Sequence, residues 1–172
     1  MVGSYKPKTR GDANEATHSQ SLETNVSVAQ ASVAEVMSDK GGELFGIGPQ
    51  NAVSEAVAIL AEKRIGALVV TDDDGKLVGI LSERDIVRRL AETPGQTLPQ
   101  KVDQLMSAKV ETTTPDELLV SVLRRMTDGR FRHMPVLKDG QLLGMISIGD
   151  VVNHRLKTLE YEALKLKQLI VG

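Results

Sequence analysis

Apolar residues along the chain follow two rhythms, and the same succession of rhythms occurs twice. Val53, Ala56, Val57 and Leu60 stand at i, i+3, i+4 and i+7, as do Leu119, Val122, Leu123 and Met126. That spacing predicts one amphipathic helix in each half. After each helix comes an apolar, β-branched run, "ALVVT" from Ala67 or "HMPVL" from His133, which predicts a strand. "DDDGK" and "KDGQ" then read as hairpin turns, with Gly supplying a positive φ. "LVGILS" from Leu77 and "LLGMIS" from Leu142 are the return strands, and "ERDIVRRL" and "IGDVVNHRL" open closing helices. A short extended segment precedes a proline in both halves, at 44–48 and 110–114. The predicted order is strand, helix, strand, strand, helix, twice over.

Such a repeat reorganises the whole chain. Residues 31–92 form unit one and 102–156 form unit two, with Met37 matching Met106, Pro49 matching Pro115 and Gly79 matching Gly144. Order begins near "SVAEVMSD", where Val33, Val36 and Met37 have helical spacing. Residues 93–101 are polar, with two prolines and a glycine, as suits a linker. Residues 1–30 have almost nothing to bury and are expected to form a flexible tail. Beyond unit two, residues 157–172 extend the last helix. Leu156, Leu159, Ala163, Leu166 and Ile170 make a stripe there that either folds back on the body or meets another copy.

Composition narrows the function. Two Phe, two Tyr and no Trp leave a core of aliphatic residues and Met, and 21 basic against 23 acidic residues give a net charge of −2. No global field draws the chain to nucleic acid or anionic lipid. The absence of cysteine excludes disulfides and thiol chemistry. No apolar run approaches the roughly 20 residues needed to span a bilayer. The expectation is a soluble cytoplasmic protein without a membrane association.

The repeated "Gly-x-x-Ser-x-x-Asp" places Ser82 and Ser147 where a strand ends and a helix begins, with Asp85 and Asp150 one turn later. Ser at that place caps a helix, and Asp in the first turn complements its dipole. The same geometry suits a nucleotide. A helix N-terminus seats phosphate, and a carboxylate accepts two hydrogen bonds from a vicinal diol such as a ribose. No phosphate-binding Gly-Lys loop, zinc pattern or nucleophile elbow accompanies these residues, which argues against an enzyme. Basic clusters at Arg88–Arg89 and around Arg124–His133 are surrounded by acidic residues and lack aromatics for stacking, so nucleic-acid binding is disfavoured.

Taken together, "DDDGKLVGILSERDIV", "FRHMPVLKDGQLLGMISIGDVV" and "VETTTPDELL" resemble a tandem pair of cystathionine-β-synthase (CBS) domains, also called a Bateman module. The resemblance runs from about Val33 to Leu156. It implies an α/β (α+β) fold of two β-α-β-β-α units packed about a pseudo-twofold axis, with an extended C-terminal helix. It also implies a non-catalytic regulatory module that binds adenine nucleotides in clefts between the units and signals to a partner by conformational change. By position, Asp85 and Asp150 would hold ribose hydroxyls, and Ser82 and Ser147 would contact phosphate or ribose. Val110, Thr112 and Thr114 would line the adenine pocket. Ile65, Gly66 and Ala67, with Arg132, His133, Met134 and Pro135, would form the opposite wall, and Arg84 would reach across to phosphate. AMP is the first expectation, then ATP or ADP, NAD(H) or S-adenosylmethionine, with no catalytic cofactor. The partners implied are a second copy, giving a homodimer through the units and the C-terminal helix, and an unidentified regulated protein. The alternatives are an interaction scaffold without ligand and a single-stranded RNA binder. The copies are unequal, since Arg132 and His133 replace Gly66 and Ala67, and Gly48 stands where unit two has Thr114.

Overall fold

The computed structural model describes residues 31–41 and 43–171, so the expected tail over 1–30 lies outside the described residues. The elements are α1 (Val33–Lys40), β1 (Gly46–Ile47), α2 (Val53–Lys63), β2 (Ala67–Thr71), β3 (Leu77–Ser82) and α3 (Glu83–Glu92). A 3-10 turn (Val102–Gln104) leads to α4 (Leu119–Gly129), β4 (His133–Lys138), β5 (Gln141–Ser147) and α5 (Ile148–Val171). This is the expected mixed α+β fold with two small sheets and a long C-terminal helix.

Each sheet is built on an antiparallel hairpin, β2–β3 and β4–β5, and the register slips at the same place in both, at Val70/Thr71 and Val136/Leu137. The turns use Gly75 at φ +77° in the first hairpin, and Asp139 and Gly140 at +52° and +79° in the second. Such left-handed backbone is where glycine costs least. In unit one, β1 adds a parallel strand to β2. Unit two keeps only a single bridge there, Thr113 against Val136. The reason is Pro135. In unit one the Val69 N–H donates to Phe45 O at 3.3 Å. Pro135 occupies the equivalent position with no N–H to give, so the expected strand at 110–114 shrinks to one rung.

The cores are completed crosswise. Val33, Val36 and Met37 of α1 pack with Leu119, Val122, Met126, Met134 and Ile146 of unit two. Val102, Leu105 and Met106 pack with Val53, Leu60, Leu68 and Leu81 of unit one. Each fully buried Val or Leu contributes roughly 1.5–3 kcal/mol, so the exchanged segments are substantial parts of both cores. The backbone repeats the exchange. Val33 and Ala34 N–H groups donate to Glu117 and Pro115 carbonyls at 3.0 and 2.9 Å, and Val102 and Asp103 donate to Asn51 and Pro49, both at 3.0 Å. This mutual pattern is the pseudo-twofold relation in chemical form.

It also explains the paired glycines. A Cβ at Gly79 would lie 2.5 Å from Met106 Sδ, and one at Gly144 would run into Met37 Cε. Each return strand lacks a side chain where the methionine leading the opposite unit lies against it.

The linker is ordered by its threonines. The fully buried Thr97 hydroxyl reaches Thr93 O at 3.0 Å, Arg89 O at 3.3 Å and Thr93 Oγ1 at 3.1 Å. Beyond it, Leu98 and Gln100 carbonyls accept from the Ser54 and Val53 N–H groups, satisfying the start of α2. At the start of α4, Ala31 O accepts from the Leu119 N–H in the same manner.

Candidate functional site

Both Ser-x-x-Asp segments fold as capping boxes. Asp85 Oδ2 accepts from the Ser82 N–H at 2.9 Å and the Ser82 hydroxyl at 2.6 Å, while Ser82 Oγ accepts from the Asp85 N–H at 3.4 Å. Ser147 and Asp150 repeat the set at 2.8, 2.7 and 3.1 Å. Capping and ligand binding do not exclude one another here. Every one of these contacts to carboxylate uses Oδ2, which leaves Oδ1 of Asp85 without a hydrogen bond among the described residues.

The N-termini of α3 and α5 open onto one cleft of about 700 Å³ between the units. Of the residues expected at a site, Gly66, Ser82, Arg84, Asp85, Val110, Arg132, His133 and Ser147 line it. The others lie elsewhere. Ala67 and Met134 are fully buried in the cores, Pro135 is buried in β4, and Ile65 packs on the first core. Thr112 is half-buried and lends its carbonyl to Arg125 Nη2 at 2.7 Å, while Thr114 is exposed. The buried threonine of that segment is Thr113, whose hydroxyl donates to Glu117 at 2.6 Å.

Asp150 has a cation on it. Lys40, at the end of α1, donates to Asp150 Oδ2 at 2.9 Å and to Met145 O at 3.0 Å. Burial opposes ionisation of this carboxyl, but the bonds from Lys40 and Ser147 outweigh it and hold the pKa below the usual carboxylate range. Among the described residues, Asp85 is held by Ser82 alone. The two carboxylates, equal in sequence, therefore differ in what a ligand would have to displace.

Electrostatically the cleft favours anions. Arg84, Arg88, Lys109, Arg130 and Arg132 line it against Glu83, Asp85 and Glu111. Arg84 spans the units, donating from Nη1 to Arg130 O at 2.7 Å. His133 packs so closely over Gly66 that a Cβ there would sit 3.2 Å from its Cε1. Burial holds the imidazole below its ordinary pKa, Arg132 and Lys40 push the same way, and Asp150 and Glu83 oppose them. Lys109 and Glu111 were not singled out from sequence, and Arg88 stood out only as part of a basic cluster. Only the crosswise fold brings the 107–111 segment to the start of α3, through the Ile80–Ser107 bridge.

The CBS domain model matches residues 33–92 and 102–157. The chain belongs to the CBS domain family. A CBS domain-containing protein of Arabidopsis thaliana, CBSX3, named as mitochondrial, is 33% identical over 148 residues, covering 81% of this chain and 72% of that protein. Other CBS relatives are longer. This chain spans 31% of the Arabidopsis protein CBSCBSPB2, with 28% identity over 93% of its own length. Among solved structures, a CBS-domain-containing protein of Agrobacterium tumefaciens superposes with a TM-score of 0.71 at 39% identity, covering 73% of this chain and 99% of that one. The CBS domain pair of protein MJ0100, solved in complex with 5′-methylthioadenosine and S-adenosyl-L-methionine, matches at 26% identity with a TM-score of 0.62, covering 72% and 94%. CBS pairs are regulatory, non-catalytic modules, and some of these neighbours bind adenosine ligands. No helix among the described residues is long and apolar enough to cross a membrane.

Proposed function

We propose that this CBS pair senses an adenine nucleotide in the 700 Å³ cleft and relays occupancy to a partner, performing no chemistry itself. The observation that carries this reading is Asp85, whose unused Oδ1 stands at a helix N-terminus in a cleft lined by five basic side chains. A cleft of this size suits a small nucleotide. Asp85 accepts the ribose 2′- and 3′-hydroxyls. Arg132 and Arg84 make charge-assisted hydrogen bonds to phosphate, which favours AMP, then ADP or ATP and NAD(H), over the cationic S-adenosylmethionine. Val110 offers an apolar contact to the base. Asp150, with Ser147, is the second and weaker ribose seat, because Lys40 has to leave it first.

The relay goes to a second copy of the chain or to a regulated protein. Val87 and Val152, at equivalent places on α3 and α5, are 62% and 51% exposed and form part of the surface on which copies meet.

Thermal melting against AMP, ADP, ATP, NAD, NADH, S-adenosylmethionine and guanine nucleotides tests the reading. A ligand at about 100 times its dissociation constant adds roughly 2.7 kcal/mol. AMP is expected to raise the melting temperature of the wild type and to lose that effect in Asp85→Asn, which keeps an oxygen for the helix cap, and in Arg132→Ala. No shift with any compound on folded protein refutes nucleotide sensing.

A further inference from the structure

The first strands of the two units are equivalent in sequence but held differently, and a wall of the cleft hangs on the weaker one. In unit one, β1 pairs with β2, and the Val69 N–H donates to Phe45 O at 3.3 Å. In unit two the same bond would run from residue 135 to Glu111 O, and Pro135 has no N–H to make it. What remains is Thr113, whose N–H donates to Pro135 O at 3.0 Å and whose carbonyl accepts from the Leu137 N–H at 2.8 Å. At the other end of the segment, Ser107 exchanges two bonds with Ile80, at 2.9 and 3.1 Å. Between Ser107 and Thr113 the backbone has no partner in either sheet among the described residues. Lys109, Val110 and Glu111 lie in this unsupported stretch, and all three line the cleft.

Arg125 supplies the missing hold. It stands on α4, outside the cleft lining, and its Nη2 donates to the Glu111 carboxylate and to Thr112 O, both at 2.7 Å. Its Nη1 donates to both oxygens of Glu117, at 3.1 and 2.9 Å. Glu117 is fixed in turn by the Thr113 and Ser121 hydroxyls, which donate to it at 2.6 and 2.7 Å. Burial opposes ionisation of Glu117, but these bonds outweigh it and keep the carboxyl below its usual pKa. A guanidinium offers five N–H donors in a fixed fork, so one side chain serves all four contacts. Unit one has no counterpart. Ile59 and Phe45 occupy the positions equivalent to Arg125 and Glu111, and both pack on the first core. The proline and the arginine therefore belong together, since one removes a backbone tie and the other restores it by side chain.

We infer that Arg125 is the positioning residue for the cleft wall at 108–112, holding Val110 in place for the base without touching a ligand itself. For the base, this rests on the nucleotide reading above. For the wall, it rests on the hydrogen bonds alone. A wall set before binding spares the ligand the cost of ordering it.

The experiment joins amide hydrogen exchange on the full chain to calorimetry with AMP. Arg125→Met keeps a long side chain and removes the fork. It is expected to speed exchange about tenfold at the Thr113 and Leu137 amides, and to leave Val70 and Leu81 of the first sheet unchanged. AMP binding is expected to weaken about tenfold. Adding Pro135→Val to Arg125→Met returns an N–H opposite Glu111 O. That double variant is expected to recover most of the protection and of the affinity, a gain that misfolding cannot mimic. Thr97→Val, destabilised away from the cleft, is expected to keep the wild-type affinity for AMP. Unchanged exchange at Thr113 and Leu137 in Arg125→Met overturns the inference. So does an AMP affinity that Arg125→Met leaves unaltered, or that Thr97→Val lowers equally. If the wild type binds no nucleotide, the sensing reading falls by itself, and faster exchange in Arg125→Met with recovery by Pro135→Val still upholds Arg125 as the hold on the wall.

Discussion

Gly79→Ala inserts one methyl group where β3 meets the methionine leading the opposite unit. The new Cβ would stand 2.5 Å from Met106 Sδ, 3.0 Å from Met106 Cγ and 3.3 Å from Ser107 O. Two of these atoms lie in the middle of a side chain and the third is backbone, so moving a side-chain tip does not relieve the overlap. Overpacking of this kind costs about 1–3 kcal/mol. For a chain of this length that is a fall in melting temperature of roughly 3–9 °C. Gly144→Ala is the internal control. Its Cβ meets the terminal Met37 Cε, with Sδ next at 3.3 Å, and a methionine end can swing away. Its cost falls at the lower end of the range. Urea unfolding of both variants reads the difference. Met106→Ala alone is expected to cost about 2 kcal/mol, near the bottom of the range for emptied core positions because Met106 is only partly buried. Combined with Gly79→Ala it should cost about 1–2 kcal/mol less than the sum, since the methyl group then enters the space the methionine leaves. Strict additivity, or a Gly144→Ala cost equal to that of Gly79→Ala, would refute the crosswise packing as the reason for the glycines.

Three further outcomes follow from the site and the linker. Lys40→Met removes the cation on Asp150, whose side chain is 22% exposed, and is expected to destabilise by about 1 kcal/mol after allowance for solvent screening. Because the folded pKa of Asp150 is depressed, that contribution is present above the ordinary carboxylate value of 3.8 and disappears as pH falls through the lower folded value, so wild-type and variant urea midpoints should converge only in strong acid. In calorimetry with AMP, the same variant should show a tighter second binding event. His133, whose folded pKa lies below its ordinary 6.5, contributes stability above that value and loses it as pH falls towards the folded one, and urea midpoints of His133→Gln should be flatter between about pH 7 and 5 than those of wild type. Thr97→Val keeps the shape of a fully buried side chain but removes its one hydroxyl donor, while the Arg89 and Thr93 carbonyls keep the Thr93 and Gln96 N–H groups, so the cost is that of a single hydrogen bond, about 0.5–1.5 kcal/mol in thermal unfolding.

The elements that could be read from the chain are those made by neighbours in sequence. The i, i+3, i+4 stripes of α2 and α4 are local periodicities, and their buried residues are Val53, Ala56 and Leu60, and Leu119, Val122 and Met126. Gly75 and Gly140 marked the hairpins through a purely local backbone requirement. Two further features depend on partners distant in the chain. Nothing near Val33 signals that it belongs with Leu119, because its helical spacing is satisfied by any apolar surface. Likewise Lys40 and Asp150 are 110 residues apart, and an isolated lysine before two glycines carries no signal. The linker was legible as polar and rich in proline and glycine. Its order comes from a hydroxyl network around Thr97 that only the folded backbone assembles. At the cleft, the Ser-x-x-Asp segments stood out because one short spacing serves a helix cap. The division of labour between Oδ1 and Oδ2 is a matter of atoms, below what spacing can express.

The crosswise completion of the two cores also sets a timetable for synthesis. Unit one lacks Val102, Leu105 and Met106 until the ribosome has passed the linker, so its apolar interior cannot close when its last strand appears. Unit two meets the reverse situation, since Val33 and Val36 are made first and wait for Leu119 and Val122. At roughly 5–20 residues per second, that interval is on the order of ten seconds. Over that time the apolar side of α1 has no assigned surface to cover it, and it is open to chaperones or to the α4 of a neighbouring nascent chain. An exchange of α1 between two chains would reproduce the same contacts in an intertwined pair, so the spacing of nascent chains along a message governs how often that product forms.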